Sequence, residues 1–160
     1  MNTARHAPQV EGLESRRLFA ALASAAVDFE GTLVVHGSGR ADYIAISLNP
    51  GTSEVLDVNL NGNVISFAVA QVTNGIRVDG GRGNDVIVID ETNGPITLAA
   101  HLSGGGGNDS ITGGSGDDVI DGGKGSDTLT GGAGDDQVTS DRRDVVTDAS
   151  VLLAAAVKGR

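Results

Sequence analysis

The sequence predicts an all-β fold, a solenoid of stacked 18-residue coils in which each coil runs turn, strand, turn, strand. Three observations carry this prediction. Residues 104–139 divide without a gap into four nine-residue blocks, GGGGNDSIT, GGSGDDVID, GGKGSDTLT and GGAGDDQVT, and an earlier block, GGRGNDVIV, starts at Gly80. All five blocks have Gly at positions one, two and four, Asp at position six and an aliphatic residue at position eight. The 160-residue chain has three Phe, one Tyr and no Trp, so its core must be one that Ile, Leu and Val can fill.

Each column of the repeat has a physical reason. Glycine reaches positive φ at little cost and lets backbones approach closely. Position five holds Asn84, Asn108, Asp117, Ser126 or Asp135, all turn formers. Position eight holds Ile87, Ile111, Ile120, Leu129 or Val138 between mostly polar neighbours, the period-two pattern of a very short strand with one side chain pointing inward. A flexible glycine linker would need neither a fixed phase nor a recurring aliphatic.

These blocks resemble the RTX, or hemolysin-type, calcium-binding nonapeptide family, written G-G-x-G-x-D-x-U-x. The resemblance implies a right-handed parallel β-roll, or β-helix solenoid. It is strict over Gly80–Val88 and Gly104–Thr139.

The spacing itself points to a cation. Turns alternate between the two edges of such a roll, so turns on one edge lie 18 residues apart, which sets Asp109 beside Asp127 and Asp118 beside Asp136. Strands pair about 4.8 Å apart, and carboxylates held that close repel unless a cation lies between them. Hard Ca²⁺, with six to eight oxygen ligands, suits an all-oxygen cage; Mg²⁺ needs a smaller and more regular one. No His or Cys stands in the blocks to serve a transition metal. The expected side-chain ligands are Asp85, Asp109, Asp118, Asp127 and Asp136. Expected carbonyl ligands are Gly105, Gly107, Gly114, Gly116, Gly123, Gly125, Gly132 and Gly134. Two sites are expected, Asp109/Asp127 and Asp118/Asp136. A third, Asp85/Asp109, has an offset of 24 because the segment Ile89–Ser103 carries six extra residues around ETNGP.

Taken in order, residues 1–26 read as a targeting or processing segment outside the fold. Arg16 and Arg17 precede the apolar run LFAALASAA, and Ala23-Ser24-Ala25 resembles a small-residue cleavage site. LESRRLFA, Leu13–Ala20, resembles the LEPR-type N-terminal motif of bacterial surface and secreted proteins. The other reading of this segment is a short amphipathic helix. Residues 27–79 read as early coils or a hairpin-rich cap, with turn signals at Asn49-Pro50-Gly51, Asn61-Gly62 and Asn74-Gly75. Within them GSGRADYIA, Gly37–Ala45, resembles a decayed repeat with Asp42 at the Asp position and Ile44 at the aliphatic one. Residues 80–139 form the repeat array. Residues 140–160 read as a C-terminal cap, in which continued phase would put Val145 at the Asp position and Arg142 and Arg143 in the turn. Those arginines are expected to neutralise the last acidic edge in place of calcium, and Val151–Val157 to cover the open end.

Charge and composition narrow the function. Twenty-one acidic residues against 11 basic ones give a net charge of −10, which disfavours nucleic acid and anionic lipid as partners. Without Cys there is no disulfide framework and no thiolate metal site. No apolar run approaches the length of a membrane-spanning helix. His6, His36 and His101 stand in no catalytic constellation, and paired carboxylates that recur identically point to binding rather than to an enzyme. The leading expectation is a bacterial protein, secreted or at the cell surface, whose folding is coupled to Ca²⁺. A second is a structural or adhesion protein of the cell envelope, and a third an accessory domain serving a separate enzyme.

Overall fold

The position-eight aliphatics decide the core. Ile87, Ile111, Ile120, Leu129 and Val138 are all at most 1% exposed, while their strand neighbours Ser110, Asp121, Thr128 and Gln137 face solvent. In the computed structural model, which describes residues 23–147 and 152–153, these residues belong to an all-β architecture. Its only helical piece among the described residues is a short 3-10 turn at Val69–Gln71. The readings of residues 1–22 and of Val151–Val157 as a cap concern positions outside the described residues, apart from the strand at Leu152–Leu153.

Strands in chain order are β1 Ser24–Val27, β2 Leu33–His36, β3 Tyr43–Asn49, β4 Thr52–Leu60, β5 Asn63–Ala68, β6 Ile76–Asp79 and β7 Val86–Asp90. They continue as β8 Ala100–Ser103, β9 Ser110–Thr112, β10 Val119–Asp121, β11 Thr128–Thr130, β12 Gln137–Thr139, β13 Val145–Val146 and β14 Leu152–Leu153. From β6 onward successive strands fall alternately into two seven-stranded sheets, ordered β1-β2-β6-β8-β10-β12-β14 and β13-β11-β9-β7-β3-β4-β5. Both sheets are mixed. β1 lies antiparallel to β2, and β3, β4 and β5 form an antiparallel meander. The remaining pairs, from β2/β6 to β12/β14, are parallel.

Register keeps the aliphatics in line. Ile44, Ile87, Ile111 and Leu129 are successive partners in one sheet. Val78, Leu102, Ile120 and Val138 are successive partners in the other. One hydrophobic cluster joins them to the aliphatics of the N-terminal half, among them Leu33, Ile46, Leu56, Val58 and Leu60.

One feature differs from the reading of the sequence, and two others give it detail. Strand β1 starts at Ser24, inside the segment placed outside the fold. Ala23, Ala25 and Val27 pack against the core, so the run of small residues is also a strand with one apolar side. The stretch 27–79 combines both readings, since β2, β3 and β6 join the parallel ladders while β4 and β5 extend one sheet as a hairpin-rich edge. The six extra residues after β7 are fastened down: Asn93 Nδ2 donates to the Leu48 carbonyl at 2.9 Å, Ile96 N–H donates to Glu91 Oε1 at 2.7 Å, and Ile96 is buried. That loop absorbs the longer offset, and β8 returns in register with β6.

Candidate metal site

Every position-six Asp is buried, with exposures from 0% to 3%, whereas most other charged side chains among the described residues lie at the surface. A buried carboxylate needs compensation, and each finds part of it in the backbone of a neighbouring turn. Asp85 N–H donates to Asp109 Oδ1 and Asp109 N–H donates to Asp127 Oδ1, both at 2.8 Å. On the opposite side Asp118 N–H donates to Asp136 Oδ1 at 2.9 Å, and Ala100 N–H donates to Asp118 Oδ1 at 2.8 Å. The structure thus joins Asp109 to Asp127 and Asp118 to Asp136, 18 residues apart. It also joins Asp85 to Asp109 across 24, because the register survives the inserted loop.

Two residues extend the first column. Asp42 N–H donates to Asp85 Oδ1 at 2.8 Å, which makes the decayed repeat a genuine rung. Asp127 N–H donates to Asp144 Oδ1 at 3.0 Å. Continued phase puts Val145 at that position, and here the structure differs: the last unit is one residue short, so Asp144 takes the column and Val145 pairs with Thr128. The signal was present in Asp144-Val145-Val146, which repeats the Asp-x-aliphatic order of Asp109-Ser110-Ile111. The arginines do not neutralise the buried column. Among the described residues the ion pair found joins Arg143 to Asp141 at 3.5 Å, with the Arg143 side chain 68% exposed.

Position five forms a second ladder of opposite sense. Asn108 N–H donates to Asn84 Oδ1 at 2.8 Å, Ser126 N–H to Asn108 Oδ1 at 3.0 Å, and Asp135 N–H to Asp117 Oδ1 at 2.9 Å. These side chains therefore hold turns together, in keeping with their choice as turn formers.

The glycines make room for both ladders. A Cβ on Gly104 would strike Asp109 Oδ2, and one on Gly125, whose φ is +152°, would strike the Gly107 carbonyl. Among the expected carbonyl ligands, Gly105 accepts Lys124 N–H and Gly114 accepts Ala133 N–H, each at 2.9 Å. Each of these oxygens keeps a second lone pair. The Gly107 and Gly116 carbonyls face Gly125 and Gly134 of the adjoining turns. Gly123 and Gly132 share the left-handed conformation, with φ of +89° and +109°.

The electrostatics leave these carboxylates under-compensated. Oδ2 of Asp85, Asp109 and Asp127 is buried with no hydrogen-bond partner, which is costly for a charged oxygen. Burial pushes Asp85, Asp109 and Asp127 above the usual carboxylate range. It pushes Asp118 up to about 6, with Asp136 and Glu91 adding repulsion and the Gly114 and Ala100 N–H groups opposing it. Among the described residues no three His, Cys, Asp or Glu side chains gather as a metal-holding set. A cation between neighbouring turns would therefore draw on backbone carbonyls as well as carboxylates. The donor set is all oxygen, acidic and partly unsatisfied, which fits a hard cation.

The sign of the pH dependence follows. A carboxylate whose folded pKa lies above its unfolded value favours folding below the unfolded value and loses that contribution as pH rises through the folded one. For Asp118 that window runs from the ordinary carboxylate value of 3.8 to about 6. Calcium-depleted protein should therefore melt at a higher temperature near about pH 4.5 than near about pH 7. Melting curves showing the reverse order would contradict the buried, unpaired carboxylates.

This architecture defines a β-rich repeat protein with acidic, oxygen-lined turns. Residues 77–88 and 101–141 match the family model described as RTX calcium-binding nonapeptide repeat, four copies. The chain thus carries RTX repeats over about a third of its length, and such repeats indicate calcium binding. No curated protein and no solved structure matches the chain.

Proposed function

We propose that the protein is a calcium-binding right-handed parallel β-roll of bacterial origin, secreted or held at the cell surface, whose folding is completed by Ca²⁺ bound between stacked Gly/Asp turns. The observation that carries this reading is the set of buried, unpartnered Oδ2 atoms on Asp85, Asp109 and Asp127, held in a column at hydrogen-bonding spacing. Asp109 with Asp127, Asp118 with Asp136, and Asp85 with Asp109 would hold the ions, with carbonyls of the glycine-rich turns completing each shell. Calcium supplies charge neutralisation there, and the role is binding rather than catalysis.

Export follows from the same chemistry. Extracellular calcium modules bind with Kd of about 10⁻⁴ to 10⁻³ M. In a calcium-poor cytosol the acidic columns would repel and the array would stay open; outside the cell, binding free energy becomes folding free energy. The second reading, an envelope structural or adhesion protein, draws on edge strand β5, where Val64 and Ile65 are exposed. Cell fractionation separates the two by wall association against release to the medium.

The test is circular dichroism of the full chain during calcium titration. The β signal should rise between micromolar and millimolar Ca²⁺ and fall again on chelation. A full β signal in excess chelator would refute calcium-coupled folding.

A further inference from the structure

The edges of the two sheets are finished unevenly. At three of the four ends stand β1, β13 and β14, strands of four, two and two residues. At the fourth, β5 runs for six residues, Asn63–Ala68, with no strand beyond it among the described residues. Natural sheets blunt such an edge with Lys, Pro or a bulge. The sequence NVISFA contains neither residue, and its register with β4 is unbroken.

The hairpin shows which backbone groups are left over. The two-residue turn Asn61-Gly62, with φ of +55° and +87°, closes on Leu60 and Asn63. In such a hairpin the closing pair exchanges both its hydrogen bonds, and every second pair after it does the same. Asn63, Ile65 and Phe67 therefore bond to β4, whereas Val64, Ser66 and Ala68 turn N–H and C=O outward. The Ala68 N–H is met by Gln71 Oε1 of its own chain at 3.3 Å, a long bond to an exposed side chain. The side chains are unfinished too. Ile65 and Phe67 stand on the core side, opposite the buried Val58 and Leu56, yet Ile65 is 38% exposed and Phe67 only partly buried. On the other face Val64 is 58% exposed.

Charge selects the occupant. Residues 58–76 hold no Asp, Glu, Lys or Arg, the longest such span in a chain of net charge −10. Asp57, opposite Ser66 in β4, is held by Ser66 Oγ at 2.6 Å and by Asn49 Nδ2 at 2.8 Å. Two copies of so acidic a chain repel where their other surfaces meet, and this edge is where they can touch without that cost. A basic partner would be drawn to the acidic turns instead. The strand is also self-complementary. Antiparallel pairing about a two-fold axis at Ser66 matches the outward groups of Val64 with those of Ala68 in the copy, and Ser66 with Ser66. It also sets Ile65 opposite Phe67 of the copy, a favourable β-branched and aromatic pair.

We propose that two copies of the chain pair edge to edge through β5, antiparallel about Ser66, so that one sheet runs on into the other. Strands β3 and β4 separate β5 from the repeat array, so the pairing does not involve the calcium turns or rest on them. It gives the edge cited for the envelope reading a different occupant.

Sedimentation velocity of the full chain in saturating Ca²⁺ tests it. Six residues a side make a small interface, so the dimer should form as concentration rises through about 1–100 μM, reaching twice the chain mass of 16.0 kDa. Ser66→Pro removes an outward N–H and leaves the bonds to β4 in place. Ile65→Lys sets a charge against Phe67 of the copy. Each variant should stay monomeric through this range and keep the parent's β signal. A parent that remains monomeric overturns the proposal, and so does a folded variant that still dimerises. Cysteine cross-linking tests the register without depending on either variant, because the chain has no Cys of its own. The pairing brings the two copies of residue 66 within about 5.5 Å between Cα atoms, inside disulfide reach. Mild oxidation should cross-link Ser66→Cys nearly completely and Tyr43→Cys, exposed on β3, hardly at all. Equal cross-linking at the two positions would overturn the proposal.

Discussion

Gly125→Ala should lose about 3–5 kcal/mol of stability in saturating calcium, whereas Gly106→Ala should change it by less than about 1 kcal/mol. Both residues sit in glycine-rich turns of one column, so composition alone does not distinguish them. At Gly125, φ is +152° and a Cβ would meet the Gly107 carbonyl and carbon. Strained backbone and overpacking each cost about 1–3 kcal/mol, and the obstructing atoms are backbone, which cannot swing away. At Gly106 nothing lies within 4 Å of a Cβ, and the reduced freedom of the unfolded chain offsets any small loss. Urea unfolding of both variants at fixed calcium reads the difference. Equal losses would mean that the turns do not approach one another as closely as the paired strands require.

The second large effect has two signs. Asp109→Asn should stabilise the calcium-depleted protein by about 1–3 kcal/mol and weaken calcium binding by about tenfold or more. The amide oxygen can still accept Asp85 N–H in place of Asp109 Oδ1, while the buried, unpartnered charge at Oδ2 is gone. Without calcium that charge opposes folding, and with calcium it is a ligand. Thermal melts with and without the ion should therefore rank the two proteins in opposite orders. If Asp109→Asn were less stable under both conditions, the carboxylate would be a structural acceptor only.

Most of the repeat was legible because its constraints are local. Positive φ, close backbone approach and an inward aliphatic each demand a residue type at a fixed position, and so the blocks at Gly80 and Gly104 show both the short strands and the stacked Asp pairs. The rest depends on contacts that a nine-residue phase does not encode. Asp144 escaped because the final unit is one residue shorter, which no rule of period nine anticipates, although Asp-Val-Val was there to be read. Asp42 was visible only as a weak echo, since Ser38 of its turn and Asn61 from the β4–β5 turn satisfy its carboxylate where the array has glycines and, on our reading, an ion. Strand β1 was hidden inside a run of small residues that equally suits a processing site. The meander of β4 and β5 follows from its turn signals, but its attachment to β3 is a tertiary choice made by Leu56, Val58 and Leu60.

The division between these parts matters for the mechanism. The N-terminal half buries its aliphatics more densely, with Leu33, Val35, Ile44, Ile46, Leu48, Leu56, Val58 and Leu60 all in the core, and ends its Asp column in protein hydrogen bonds. The array beyond β7 buries about one aliphatic per block and carries the unpartnered carboxylates. Hydrophobic burial can hold the first part without an ion, whereas the thin core of the second does too little against the charge it encloses. The first half then offers an edge on which the array can assemble.

Amide hydrogen exchange, with calcium and after its removal, tests this account most directly. The N–H groups of Asp109 and Asp118, which donate to Asp127 and Asp136, should exchange slowly in calcium and rapidly without it. Those of Ile44 and Ile46 in β3 should stay protected in both. Equal protection of Asp109 and Asp118 in the two conditions would contradict the claim that calcium completes the fold.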